Sequence, residues 1–310
     1  MHSVIVRRFG GPDVLEVIDT PMPEPGPGQV RVRVAGAALN PIDLSARAGR
    51  LTQAGLVAPV ERLGLGWDVS GTVDAVGAGV HRFRSGDPVI GLRDLLFAGG
   101  AHAEYVVLDE AAVAPAPTSV SPVEAAALPL NALTADRALR LTGLERGQTL
   151  LVTGASGGVG GFAVQLAALA GLRTVALARP DDAAWVLTLG AADILTSADD
   201  LGSAVRAIVP GGVDAVIDAA VLGIQAHQAL RGEGTFVALV APYAPPPIRG
   251  TRVVVQEVYA DGRRLAELSA LVDAGALTPR VSRTLPLAHS RTAHELLERG
   301  GIRGRVVLTP

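Results

Sequence analysis

Four glycines within seven residues, Gly154, Gly157, Gly158 and Gly160, follow the apolar run 150–153 and are the residues best suited to hold a charged ligand. Glycine has no Cβ, so it tolerates left-handed backbone and lets a ligand approach the main chain. Beyond Gly157, apolar Val159, Phe162, Ala163, Leu166 and Ala170 recur at intervals of three and four, which predicts a helix stopping at Gly171. The first amides of a helix have no acceptor within it and sit at the positive end of its dipole, so they attract anions. A second strand is expected at 174–178. Strand, glycine turn, helix and strand form the unit that seats a dinucleotide pyrophosphate. On that reading Gly154, Ser156, Gly157, Gly158, Val159 and Gly160 bind the cofactor, with the amides of Gly158 and Val159 facing the phosphates. The spacing, G-x-x-G-x-x-G, is one residue looser than the usual fingerprint, and a tight turn without a ligand is the plain alternative.

Arg179 closes the second strand, 19 residues beyond Gly160. An acidic residue there accepts the ribose hydroxyls of NAD, whereas a guanidinium suits the 2′-phosphate of NADPH. Such a charge-assisted contact contributes about 1.5–3 kcal/mol, roughly ten- to a hundredfold in affinity. NADPH is therefore the expected cofactor. A solvated arginine neutralised by Asp181 and Asp182 is the competing account.

These residues need a scaffold, and 310 residues suffice for two domains with separate cores. Hydrophobic residues make up 49% and aromatic ones only 3%, a balance that suits buried parallel strands under helices. A formal charge of −3 and scarce aromatics leave no footprint for nucleic acid or anionic lipid. There are no cysteines, which removes disulfides, thiolate nucleophiles and cysteine-bound metal. No apolar run approaches membrane-spanning length, and MHSVIVRRFG lacks a signal-peptide pattern. A cytoplasmic protein with no membrane or nucleic-acid partner is expected.

Over residues 1–118, QVRVRVAGAAL (29–39), SGTVDAVG (70–77), DPVIGL (87–92) and HAEYVVL (102–108) read as crowded short strands of a mostly antiparallel, barrel-like β domain. Over 119–250 helices and strands alternate, which predicts a doubly wound parallel sheet. Its helices are expected at 123–127, 132–141, 183–189, 201–209 and 224–230, and its later strands at 193–196, 213–219 and 235–240. Residues 251–310 supply a last sheet strand (252–258), helices at 263–274 and 288–299, and a last strand at 305–308. The segment 252–258 carries little blocking charge. As a naked edge it invites pairing, so it is expected to join two copies into a homodimer.

Taken in order, NPIDLSARAG (40–49), GWDVSGTVDAVGAGVHRFRSGDPVIG (66–91), GAHAEYVV (100–107), AAALPLNALTADRAL (125–139), LVTGASGGVGGFAVQLA (151–167), LVDAGALTPRV (271–281) and IRGRVVL (302–308) carry a family likeness. Over essentially its whole length the chain resembles the zinc-free quinone oxidoreductase (zeta-crystallin-like) branch of the medium-chain dehydrogenase/reductases. The resemblance implies a bilobal α/β fold: a β-rich GroES-like barrel substrate domain, made of residues 1–118 and the C-terminal segment of 251–310 that returns to it, and an inserted Rossmann domain with a doubly wound parallel sheet. Zinc alcohol dehydrogenases of the superfamily place a cysteine where Asn40 stands and a histidine where Trp67 stands. The six histidines (2, 81, 102, 227, 289, 294) show no ligand spacing with a carboxylate, so no metal is expected. Without that Lewis acid, alcohol oxidation loses its usual activator, while reduction of an activated double bond stays feasible.

The resemblance also assigns site residues. Asn40 and Asp43 match an N-P-x-D pair that lies near the nicotinamide in relatives, which makes them the candidate catalytic residues. Asn40 can hydrogen-bond a cofactor or substrate oxygen, or the pair can simply start a helix. Asn131 and Thr134 lie against the nicotinamide in relatives, with a structural cap as the alternative. Ala219, Leu239 and Val240 end strands at the carboxyl edge, where open sheets bind ligands, and offer backbone groups or apolar packing. Arg303 and Arg305 stand where relatives carry a basic residue near the cofactor, and phosphate contact and solvent exposure are both open. Trp67 is expected to pack and Asp68 to hold its own turn. His102 and Tyr105 are expected as packed strand residues. Leu51, Asp136 and His102 depart from residues common in relatives, a tyrosine, an aromatic and a tyrosine respectively. None of the three tyrosines (105, 243, 259) is an evident proton donor.

The expected activity is NADPH-dependent reduction of a quinone or α,β-unsaturated carbonyl. The developing oxyanion would be met by a donor such as Asn40 or by water. Most of the rate would come from positioning two planar molecules. An enoyl reductase of a secondary-metabolite pathway is the first alternative. A non-catalytic, crystallin-like NADPH-binding protein is the second.

Overall fold

The computed structural model describes residues 1–94, 99–197 and 199–310. They form two compact units, one of Met1–Leu130, Tyr259–Gly275 and Pro279–Pro310, the other of Asn131–Val258 and Ala276–Thr278.

The first unit grows from the strand Gln29–Leu39, in which Val30, Val32 and Val34 turn inward while Arg31 and Arg33 are more exposed. That period of two is what a strand needs to bury one face. The strand pairs antiparallel with Asp68–Val76, Tyr105–Asp109 and Arg305–Thr309. A seven-stranded sheet results, running from Val281–Pro286 through Arg305–Thr309, Gln29–Leu39, Asp68–Val76 and Pro88–Leu92 to Val113–Pro115. Its core is largely valine, with Val30, Val32, Val69, Val89 and Val113 fully buried. Branching at Cβ leaves valine few rotamers to lose in a strand. A smaller antiparallel sheet joins Leu15–Asp19, His2–Val6 and Leu63–Gly64.

Two details differ from expectation. The strand expected over 102–108 begins only at Tyr105, because His102 sits in a bend with its amide bonded to the Leu65 carbonyl at 2.9 Å. Val281–Pro286 is a strand that hydrophobic alternation does not announce, since it is an edge strand with no buried residue.

The second unit holds six parallel strands in the order Asp193–Leu195, Arg173–Leu177, Thr149–Thr153, Val213–Asp218, Leu230–Ala238, Arg252–Val255. All five residues of Thr149–Thr153 are buried, which is why Leu150, Leu151 and Val152 follow one another without polar alternation. The chain builds outward from Thr149–Thr153 on one side and then crosses to Val213–Asp218 on the other. The gap between those two strands is the switch point, where ligands of open α/β sheets bind at the carboxyl ends. Arg252–Val255 pairs with Leu230–Ala238 alone and forms one edge. Among the described residues no helix is long and apolar enough to cross a membrane.

Candidate cofactor and active site

The strand Thr149–Thr153 delivers the chain to Gly154, whose φ of 61° lies in the left-handed region that residues with a Cβ avoid. The Gly157 amide donates to the Gly154 carbonyl at 2.9 Å, closing the turn, and the Ala155 amide donates to Leu177 at 3.0 Å. The helix Gly158–Leu169 begins there, with Gly157 as an extended N-cap and no side chain capping it. A Cβ on Gly160 would stand 2.2 Å from the Gly154 carbonyl oxygen, so only glycine lets the helix lie this close to the turn. Gly157 is exposed, while Ser156, Gly158 and Val159 are half-buried. The result is a cradle of main-chain donors packed so closely on the turn that Gly160 has no room for a Cβ, and a diphosphate fits its chemistry.

Arg179 lies just beyond the neighbouring strand Arg173–Leu177 and is exposed. Among the described residues no ion pair joins its guanidinium to a carboxylate. Asp182 is buried, and its amide donates to the Arg179 carbonyl at 3.0 Å.

Asn131 and Thr134 lie on the helix Pro129–Thr142 and are both buried. Thr134 is 6% exposed, and its Oγ1 finds no partner among the described residues. Buried hydroxyls are nearly always satisfied, so an orphaned one on this helix suits a ligand contact. Asp136, where relatives often have an aromatic, forms an ion pair with Arg140 one turn on, at 2.8 Å. Ala219 and Leu239 are half-buried and Val240 is exposed, each just past the end of its strand.

In the first unit the sequence-expected catalytic pair is built into a buried polar network. Asn40 starts the helix Pro41–Arg47, and its amide donates to Asp43 Oδ2 at 2.8 Å, while Gly66 donates to Asp43 Oδ1 at 2.8 Å. The Asn40 side-chain nitrogen donates to Asp68 Oδ2 at 2.7 Å and to the Ala38 carbonyl at 3.4 Å. Both of its protons are thus directed at the protein, and its backbone carbonyl accepts the Asp43 amide at 3.0 Å where the helix starts. Asp68 does not hold its own turn; its Oδ1 accepts the Leu130 amide at 2.6 Å, at the start of the helix Pro129–Thr142. Burial pushes both carboxyls up to about 7, opposed by those amide donors and by the charge of Arg305. Arg305 is half-buried beside these carboxylates, a placement neither sequence alternative describes. Arg303 is exposed, Trp67 is packed, and Leu51 packs against an apolar cluster that includes Val6, Val14 and Ala46.

The links within a second buried group escaped the sequence reading, which expected only that His102 is packed. Arg47 donates through Nη1 to His294 Nδ1 at 3.1 Å, through Nε to the Gly10 carbonyl at 3.1 Å, and also pairs with Glu298. Because arginine only donates, His294 Nδ1 accepts and its proton sits on Nε2. His102 stands edge-on to His294 at 6.4 Å and donates from Nε2 to the Ala38 carbonyl at 3.3 Å. Burial holds His102 down to about 4 and His294 to about 2. No sequence spacing links residues 47, 102, 294 and 298.

Among the described residues no group of three or more His, Asp or Glu is placed to hold a metal ion. Residues 26–118 match the family model described as alcohol dehydrogenase GroES-like domain, and 189–308 match the one described as zinc-binding dehydrogenase. The chain is 31% identical to an NADPH-dependent alkenal/one oxidoreductase, chloroplastic, from Arabidopsis thaliana, over 100% of this chain and 80% of that protein. It is similar to a solved NAD-dependent alcohol dehydrogenase, with 33% identity, a TM-score of 0.89 and 100% of both chains covered. It is also similar to the quinone oxidoreductase of Coxiella burnetii, with 30% identity, a TM-score of 0.88, and 100% and 99% of the two chains covered. The glycine cradle, the antiparallel first unit and these likenesses agree, and the chain belongs to the quinone oxidoreductase family of the medium-chain dehydrogenase/reductases.

Proposed function

We propose that this protein is an NADPH-dependent reductase that transfers hydride to a quinone or an α,β-unsaturated carbonyl. The observation that carries the reading is the cradle at Gly154–Gly160 with the exposed guanidinium of Arg179, unpaired among the described residues, at the next strand's end. The cradle amides would hold the diphosphate and Arg179 the 2′-phosphate. Thr134, Asn131 and the main chain at Ala219, Leu239 and Val240 would hold the nicotinamide half. When bound, the cofactor supplies the hydride. Similar proteins bear both NADPH and NAD in their names, and the guanidinium, which an NAD site replaces with a carboxylate, supports NADPH here.

With the Asn40 nitrogen committed to Asp68 and Ala38, we take the proton from solvent. An enolate or hydroquinone oxyanion can protonate after hydride arrival, and the protein's work is then orientation. We further propose a cytoplasmic homodimer joined through the edge strand Arg252–Val255, where Val255 is 40% exposed. A monomer mass by light scattering at micromolar concentration removes that part.

The decisive experiment follows oxidation of NADPH, and separately NADH, against a panel of quinones and enones. Turnover of several of them with NADPH preferred is the expected result. Cofactor binding without turnover on any of them would make the protein a non-catalytic binder. Marked preference for one enoyl thioester would make it a biosynthetic enoyl reductase.

A further inference from the structure

The two strands that flank the switch point end in Thr153 and Asp218, which are 0% and 2% exposed. The Thr153 hydroxyl donates to Asp218 Oδ1 at 2.6 Å and accepts the Ala220 amide at 2.9 Å. Asp218 Oδ1 also accepts the Leu222 amide at 3.1 Å, and its Oδ2 accepts the Gly223 amide at 2.8 Å. One hydroxyl and one carboxylate therefore hold three main-chain amides of the loop 219–223.

The loop they hold is strained. Val221 has φ of 59°, a left-handed conformation that a β-branched side chain strongly disfavours. Gly223 has φ of 57°, and a Cβ there would lie 2.8 Å from the Tyr243 carbonyl oxygen. Strain of this sort persists where surrounding bonds over-determine it, and it concentrates at ligand sites. The loop also presses on the cradle: a Cβ on Gly154 would stand 3.1 Å from the Ala220 nitrogen and 3.2 Å from the Ala219 carbonyl carbon.

We propose that Thr153 and Asp218 are positioning residues, a latch that fixes 219–223 as the wall of the glycine turn so that main-chain groups of Ala219 and Ala220 meet the nicotinamide-bearing half of the cofactor. The proposal rests on the cofactor reading given above. Both carboxylate oxygens and the hydroxyl are occupied by fixed partners.

The test combines fluorescence titration with NADPH, steady-state kinetics and peptide hydrogen exchange on Thr153→Val and Thr153→Ser. In Thr153→Val the NADPH dissociation constant and KM should rise at least tenfold and kcat should fall, with the quinone KM within threefold of wild type. Amides of 219–223 should exchange faster while those of 213–218 keep their protection. Thr153→Ser, which retains the hydroxyl, should restore NADPH binding to within threefold. Thr153→Val binding NADPH within twofold of wild type, with loop exchange unchanged, overturns the latch. Should Thr153→Val fail to fold, Val221→Gly carries the test. A raised melting temperature with weakened NADPH binding supports the latch, and unchanged binding overturns it. Wild type that binds neither NADPH nor NADH defeats the cofactor reading itself, whereas binding by wild type and Thr153→Val alike defeats only the latch.

Discussion

Arg179 is an exposed cation that this chain leaves without an ion partner among the described residues, at the strand end where the two coenzymes differ by one phosphate. A dianionic phosphate brought against it forms charge-assisted bonds that the ribose hydroxyls of NAD cannot match. Replacing Arg179 by Asp adds repulsion to the loss, so the ratio of kcat/KM for NADPH over NADH should fall by at least tenfold and the preference reverse. An unchanged ratio would show that another group reads the phosphate. Arg179 and the four glycines were legible in the sequence because their meaning is local, a turn, a helix start and a strand end within thirty residues. The links Asn40 to Asp68, Arg305 to both carboxylates, and Arg47 to His294 were not. Each joins residues far apart along the chain, and side-chain partners at such separations follow from packing that no local pattern encodes.

The helix Gly158–Leu169 and the turn before it make sense as one element, because the closeness of Gly160 to the Gly154 carbonyl is what brings the first amides to the strand ends. In Gly160→Ala the new methyl meets backbone rather than a movable side chain, so the helix must shift away from the turn. NADPH affinity should drop at least tenfold, and the melting temperature should fall as well. Gly232→Ala is the control, since its nearest neighbour is the Arg249 carbonyl oxygen at 3.6 Å and φ there is not positive, and it should change neither quantity appreciably. If Gly160→Ala binds NADPH like wild type, close packing of helix on turn is not what shapes the cradle. Helical elements were the more legible ones, since an apolar stripe at intervals of three and four marks them within a dozen residues. Edge strands were the least: Val281–Pro286 buries no residue fully, so it carries no alternation to read, and its existence depends on Arg305–Thr309 beside it.

Across the whole molecule, the two buried networks of the first unit set how folding responds to pH. Asp43 and Asp68 have folded values near 7 against about 3.8 unfolded, so the stability they confer is complete below 3.8 and is lost as pH rises to 7. His102 and His294 titrate in the folded protein near 4 and 2 against 6.5 unfolded, so their contribution is complete above 6.5 and is lost as pH falls. Between roughly pH 4.5 and 6 the folded state holds two extra carboxyl protons while the unfolded state holds two extra imidazole protons, and the slopes cancel. Arg47, paired with Glu298, faces the two histidines, and Arg305 faces the two carboxyls. Stability measured by denaturant titration should therefore be level from about pH 6 to 4.5 and drop below pH 4. There His294 still resists protonation, and surface carboxylates such as Glu104 and Glu124, held below their ordinary values by hydrogen bonds, begin to be neutralised. His294→Gln should unmask one carboxyl proton's worth of slope, gaining about 1.4 kcal/mol relative to its own value at pH 6 for each pH unit lowered toward 4.5. The variant starts from lower absolute stability, because Arg47 loses its acceptor unless the glutamine oxygen replaces it, so slope and not height is the readout. A variant curve parallel to wild type would mean that the imidazole of His294 is not held neutral in the fold.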